Sequence, residues 1–258
     1  MEKNEKDAIT EVIENALDIA DKFWLESGHD LEEEAKKQAL LVESLESIAM
    51  DSNIPSNLPN HDFINQYHSQ NAEFIAIVAD MRKSTEHAKT IITGIEPLHR
   101  IFLETSALLP AMEKIINFKN GQVTEYLGDG VLGFFNYNQP EDIYKAYNAA
   151  KNIIVDMRNI LNQILYERYK LPQDIHIGVG IAKSQTIIYA AGLPNRKHPK
   201  AFGSCIYDAT KLATGKNIIG LTQEIKALWP KSKNGKIQIL KASDKFKIPN
   251  VYCIKPEE

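Results

Sequence analysis

The chain has 258 residues, 43% of them hydrophobic and 25% charged, with a formal net charge of −4. That composition suits a soluble globule with a substantial core, as one sizeable domain with an appendage or as two small domains. It excludes a nucleic-acid-coating protein, which would carry a basic stripe. Cys205 and Cys253 are too few for a disulfide scaffold and lack zinc-site spacing. They read as free thiols in a reducing cytoplasm. Met1 to Asp7 shows no signal pattern, and no apolar stretch approaches the roughly 20 residues that span a bilayer. A cytoplasmic protein with no membrane segment and no nucleic-acid partner is expected.

Residues 1–50 read as two helices. Ile9, Val12, Ile13, Ala16, Ala20, Phe23 and Trp24 keep a helical period, which Ser27-Gly28-His29 interrupts. Asp30 and Glu33 then have capping-box spacing, and Leu31, Ala35, Leu41, Leu45 and Ile48 continue an apolar stripe suited to packing or a dimer surface. Residues 51–70, rich in Ser, Asn and Pro, read as a linker, leaving 71–258 as the main domain.

Phe74 to Ala79 is nearly all apolar, as for a strand buried on both faces, and it ends at Asp80. Arg82-Lys83-Ser84-Thr85 opens a helical region reaching about Phe118, bent or divided at Pro97 and Pro110. Asn120-Gly121 is a turn. Residues 122–127 and 131–136 read as strands joined through Leu127-Gly128-Asp129-Gly130. A helix with an apolar stripe from Ile143 to Leu165 follows and stops at Pro172. Then come two strands (175–182, 186–191), a polar, basic loop (192–200) and a short helix (203–214). A strand (217–221), a helix (223–229) and two closing strands (237–240, 251–254) complete the chain. Strand, helix, strand, strand, helix, strand is the ferredoxin-like order, an α+β fold with helices covering one sheet face.

The chemistry gathers at Asp80 and Asp129, each delivered to a sheet edge by a strand. Hard divalent cations take one or two protein carboxylates together with phosphate oxygens and water. Two such carboxylates suit a metal site for a nucleoside triphosphate, with backbone N–H groups of Arg82 to Thr85 toward the phosphates. Either aspartate alone has an ordinary explanation: Asp80 as a helix cap, Asp129-Gly130 as a turn. His87 and His198 read as surface residues. There is no Walker-type Gly-x-x-x-x-Gly-Lys-Ser/Thr segment, which argues against a P-loop GTPase.

Val78-Ala79-Asp80-Met81-Arg82-Lys83-Ser84-Thr85 resembles the first metal motif of class III nucleotidyl cyclases, and Glu125-Tyr126-Leu127-Gly128-Asp129-Gly130 resembles their second. Ile177-Gly178-Val179-Gly180-Ile181-Ala182 is similar to their glycine-rich strand. The segment from Gly203 to Leu212 occupies the place of the helix carrying their transition-state residues. The resemblance covers about residues 73 to 225. It implies two Mg²⁺ or Mn²⁺ ions held by Asp80 and Asp129, with the Met81 carbonyl as a further ligand. It also implies in-line attack of the substrate 3′-hydroxyl on its own α-phosphorus, release of pyrophosphate, and a homodimer whose sites lie between protomers.

The chain departs from the purine-specific members. Tyr207 stands where they usually carry a transition-state Asn, and Lys211 where they carry a phosphate-binding Arg. A lysine supplies charge without arginine's planar fork. Glu125 and Lys200 fall on the two base-recognition positions, in a combination that is not a standard purine code and that equally describes an ion pair. These departures make the chain most similar to the Pycsar-type pyrimidine cyclases of bacterial antiphage defence. That implies UTP as the favoured substrate, cyclic UMP as product, and a separate cyclic-nucleotide-binding effector. CTP, GTP or ATP as substrate, or a cyclase-like module that binds nucleotide without turnover, remain the alternatives.

Overall fold

The computed structural model of the chain describes residues 1–27, 53–65, 68–90, 92, 94–193, 196–231, 235–246 and 248–256. Strand β3 (Gln70–Met81) is its axis. Phe74, Ala76 and Val78 are buried on one side, and Ile75, Ile77 and Ala79 on the other. That is why this run carries no polar alternation: both faces of the sheet are covered. Strands β5 (Gly130–Asn136) and β6 (Ile177–Leu193) flank β3 antiparallel, and β4 (Gln122–Tyr126) lies outside β5. These four run β4-β5-β3-β6 across the sheet, the ferredoxin-like arrangement. Beyond β6 the sheet continues through β8 (Ile218–Thr222), parallel to it, then β10 (Val251–Ile254) and β9 (Leu240–Lys241). The fold is the expected α+β architecture.

Among the described residues, one sheet face is covered by four helices: α1 (Lys3–Ser27), α3 (Pro97–Phe118), α4 (Asp142–Asn152) and α5 (Arg158–Tyr169). The last two are continuous through a π turn at Ile153–Met157. The stripe Ile9, Ile13, Leu17 and Ala20 of α1 is buried in this same core, so it is intramolecular packing. Arg168 of α5 fixes the register by pairing with Glu14, Asp18 and Asp21 at 2.6, 2.6 and 3.1 Å. Helix α2 (Ser84–His87) is a single turn.

The other face carries helix α6 (Ser204–Leu212) and a hairpin of β1 (Asn53–Leu58) and β2 (His61–Asn65). A Cβ on Gly178 would lie 1.9 Å from the carbonyl oxygen of Ala213, and one on Gly180 1.9 Å from that of Ala209. The glycines of β6 thus let α6 and the turn after it sit on the strand by main-chain contact. Two short helices, α7 (Gln223–Leu228) and α8 (Ser243–Phe246), close the C-terminal part.

Several expectations about elements are corrected. Residues 53–58 and 61–65, expected as part of a linker, pair as a hairpin with Leu58 and Ile64 buried against the sheet. Pro55 and Pro59 hid it, because each removes a backbone donor and reads as loop. The expected basic loop at 192–200 is instead an arm. Strand β6 runs on as one strand to Leu193, and β7 (Arg196–Phe202) returns along it. The helical region expected from Arg82 to Phe118 instead holds the one turn α2 and, separately, α3, whose first helical residue is Pro97. That is the position where a missing N–H costs nothing. The second N-terminal helix, expected over 30–48, lies outside the described residues.

Candidate active site

Asp80 is the penultimate residue of β3 and lies opposite Gly130, the first residue of β5. The turn into β5 is closed by Leu127 N–H donating to the Gly130 carbonyl at 2.8 Å. Gly128 has φ 85°, a left-handed conformation in which any side chain would be strained. Asp129 is pinned to the strand beside it, because Met81 N–H donates to the Asp129 carbonyl at 3.1 Å. A Cβ at Gly130 would lie 2.6 Å from the Ala79 carbonyl oxygen and 3.0 Å from Asp80 Oδ1, so only glycine leaves the carboxylate its place.

The aspartates therefore face one another. Burial, then the negative charge of Asp129, pushes the Asp80 carboxyl up to about 6, against the opposing pull of Arg82. Arg82 Nη1 donates to Asp80 Oδ2 at 2.5 Å and reaches toward the Ala213 carbonyl at 3.5 Å. Two apposed carboxylates with one adjacent guanidinium form a donor set short of positive charge. Among the described residues, no cluster of three or more His, Cys, Asp or Glu side chains offers a self-contained metal cage. A carboxylate pair that relies on substrate phosphates to complete the shell fits Mg²⁺ or Mn²⁺.

The segment after Asp80 is less helical than expected. Arg82 N–H is spent on the His176 carbonyl at 2.7 Å. Lys83 adopts a left-handed conformation at the start of α2, and its ammonium pairs with Glu86 at 2.9 Å. Ser84 and Thr85 begin the single turn. So the expected phosphate cradle is a tight turn without a long helix dipole behind it.

His87 closes this turn and is buried, which corrects its reading as a surface residue. Its Nδ1 lies 3.0 Å from Glu104, to which Arg100 Nε donates at 2.9 Å, and Arg100 Nη2 reaches Gln173 at 3.2 Å. Arg100 and Glu104 are both fully buried on α3. This network bolts the segment that follows Asp80 to the helix layer. Its signal in the sequence was an Arg-Glu pair at i,i+4 on an otherwise apolar helix face.

The other expected site residues form two separate pairs. Glu125 of β4 and Lys200 of β7 make an ion pair, both side chains partly exposed. Tyr207 and Lys211 lie one turn apart on α6, where the Lys211 ammonium sits 5.5 Å from the Tyr207 ring centroid and Tyr207 is exposed. No described contact joins either pair to Asp80 or Asp129 within the protomer. Met81 carries its side chain into the core, leaving its main chain at the site.

The fold is that of the class III nucleotidyl cyclase catalytic domain. Solved structures similar to this chain include the guanylyl cyclase Cya2, with TM-score 0.54 and 17% identity over 72% of this chain and 91% of that one. The adenylyl cyclase CyaB from P. aeruginosa aligns with TM-score 0.57 and 18% identity over 74% and 97%. A class III adenylyl cyclase-like ATP-binding protein from Pseudomonas aeruginosa aligns with TM-score 0.58 and 13% identity over 73% and 39%. No family model matches the sequence, and no curated protein matches it.

Proposed function

We propose that the chain is a nucleotidyl cyclase acting on a nucleoside triphosphate, with UTP the favoured substrate and 3′,5′-cyclic UMP the product. The observation that carries this reading is the apposed Asp80–Asp129 pair, set by Gly130 and Met81 at the end of the central strand of a cyclase fold. Bound there, Mg²⁺ or Mn²⁺ would neutralise triphosphate charge and polarise the 3′-hydroxyl. Asp80 and Asp129 would hold the cations, the Met81 carbonyl would add a ligand, and Arg82 keeps the Asp80 carboxylate oriented. Lys83, Ser84 and Thr85 offer the triphosphate main-chain and side-chain donors. Most of the rate then comes from positioning and charge stabilisation, as in other phosphoryl transfers.

A homodimer fits the separation of the pairs. Asp80 and Asp129 of one protomer would complete a site with Glu125, Lys200, Tyr207 and Lys211 of the other. The β6–β7 arm, with Ile187, Leu193 and Phe202 exposed, supplies an apolar surface for that contact. Glu125 and Lys200 would face the base, Tyr207 would stack or donate one hydrogen bond, and Lys211 would meet phosphate. The cyclic nucleotide would signal to a separate effector protein in antiphage defence. No helix among the described residues is long and apolar enough to cross a membrane.

Incubation of the protein with ATP, GTP, CTP and UTP together and Mn²⁺, with products identified by mass spectrometry, tests the reading. Dominant cyclic UMP is expected. Another cyclic nucleotide would overturn the base assignment, and full activity in Asp80→Ala or Asp129→Ala would overturn the metal site. A second reading, nucleotide binding without turnover, is favoured by the Lys211 ammonium lying over the Tyr207 ring, which engages both side chains with each other. Metal-dependent UTP binding with no product, after infected-cell lysate is added, would establish it.

A further inference from the structure

The hairpin β1–β2 has no place in the cyclase reading so far, yet it stands against the pair assigned to the base. A cavity of about 160 Å³ lies between β1, the β4–β5 ribbon and β7. Glu125 lines it, and the ion pair to Lys200 ties β4 to β7 at its rim. Pro55, Pro199, Leu132 and Phe134 give it an apolar lining, which suits the faces of a planar ring. The hairpin is firmly seated: Leu58 is 2% and Ile64 0% exposed, and the His61 ring meets Phe74 edge-on at 5.9 Å.

The polar groups in that wall are mostly committed. Leu58 N–H donates to Ser56 Oγ at 3.0 Å, and Thr124 Oγ1 donates to the Leu132 carbonyl at 3.4 Å. Glu125 is held by Lys200. Asn57 is different. It is exposed on β1, its side chain has no hydrogen bond among the described residues, and it borders both this cavity and a polar cleft of about 600 Å³. A carboxamide offers one acceptor beside one donor pair, the complement of a heterocycle edge that places N–H beside C=O, as uracil does.

Resting on the cyclase reading above, we propose that strand β1 is a wall of the base pocket and that Asn57 is a specificity-determining residue that hydrogen-bonds the pyrimidine edge. Asn57→Asp makes the group acceptor-only and sets a charge against the uracil carbonyl. Its effect therefore falls on which nucleotide is used, in KM, and spares the fold.

The test measures kcat and KM of wild type, Asn57→Asp and Asn57→Ala for UTP and CTP with Mn²⁺, together with metal-dependent UTP and CTP binding by calorimetry and the melting temperature. Expected are unchanged melting and a loss of about tenfold or more in kcat/KM for UTP, carried by KM. Asn57→Asp should lose more with UTP than with CTP. Unaltered KM values for both nucleotides, or an equal loss for both, would overturn the role of Asn57 while leaving the cyclase reading intact. If wild type binds UTP without turnover and Asn57→Asp weakens that binding selectively, the pocket stands and the cyclase reading falls. If wild type neither turns over nor binds either nucleotide, both fall.

Discussion

At the scale of single residues, Asp80 shows how a site is held against stability. Its carboxyl is raised from 3.8 to about 6 by burial and by Asp129. Between those values the folded chain keeps a proton that the unfolded chain has lost. The contribution of Asp80 to metal-free stability is therefore fully present below the lower value and is lost as pH rises through about 6. Asp80→Asn removes the repulsion and should raise metal-free stability at pH 7 on the order of 1 kcal/mol, while abolishing turnover. Denaturant unfolding of wild type and variant at pH 5 and pH 7 checks it: the gain should shrink at the lower pH. A variant less stable at pH 7 than wild type would show that the Arg82 contact outweighs the repulsion. The Glu125–Lys200 pair is the opposite case. Being partly exposed, it contributes at most about 1 kcal/mol. Lys200→Met should leave melting nearly unchanged and raise KM for the nucleotide, and an unaltered KM would remove Lys200 from the site.

At the scale of elements, the site depends on two attachments. Gly178 and Gly180 let α6 lie on β6, and a methyl group at Gly180 would meet a carbonyl oxygen at 1.9 Å. Gly180→Ala should cost about 2 kcal/mol or more and displace the helix carrying Tyr207 and Lys211, so thermal unfolding and turnover should fall together. The buried network of His87, Arg100 and Glu104 fixes the turn after Asp80 to α3. Glu104→Leu strands the Arg100 guanidinium without its carboxylate and should destabilise by about 3–5 kcal/mol, read by urea unfolding. A loss under about 1 kcal/mol would mean that water or Gln173 compensates.

At the scale of the whole molecule, α1 belongs to the main core. Ile9, Ile13 and Leu17 are fully buried there. Each contributes about 1.5–3 kcal/mol by burial, so together they approach the total stability of an ordinary domain. Deleting residues 1–27 should yield an unfolded or aggregated chain by circular dichroism and gel filtration. A folded, monodisperse truncation would show that α1 is dispensable.

The ferredoxin-like order and the two aspartate turns were legible in the sequence because each is a local pattern. The apolar run before Asp80 has the signature of a doubly covered strand, and Gly128-Asp129-Gly130 can form only a tight turn between its strands. The hairpin at 53–65 and the return strand at 196–202 were not legible. Their prolines, lysines and asparagines read as loop, and only pairing with distant strands overrides that preference. The same holds for charge. Sequence marked Glu125 and Lys200 by position, but an ion pair between strands 75 residues apart exists only once β7 is folded back toward β4. The sequence by itself determined where the carboxylates would be offered. Tertiary structure decided what surrounds them, because burial and the apposition of like charges arise only when remote segments meet.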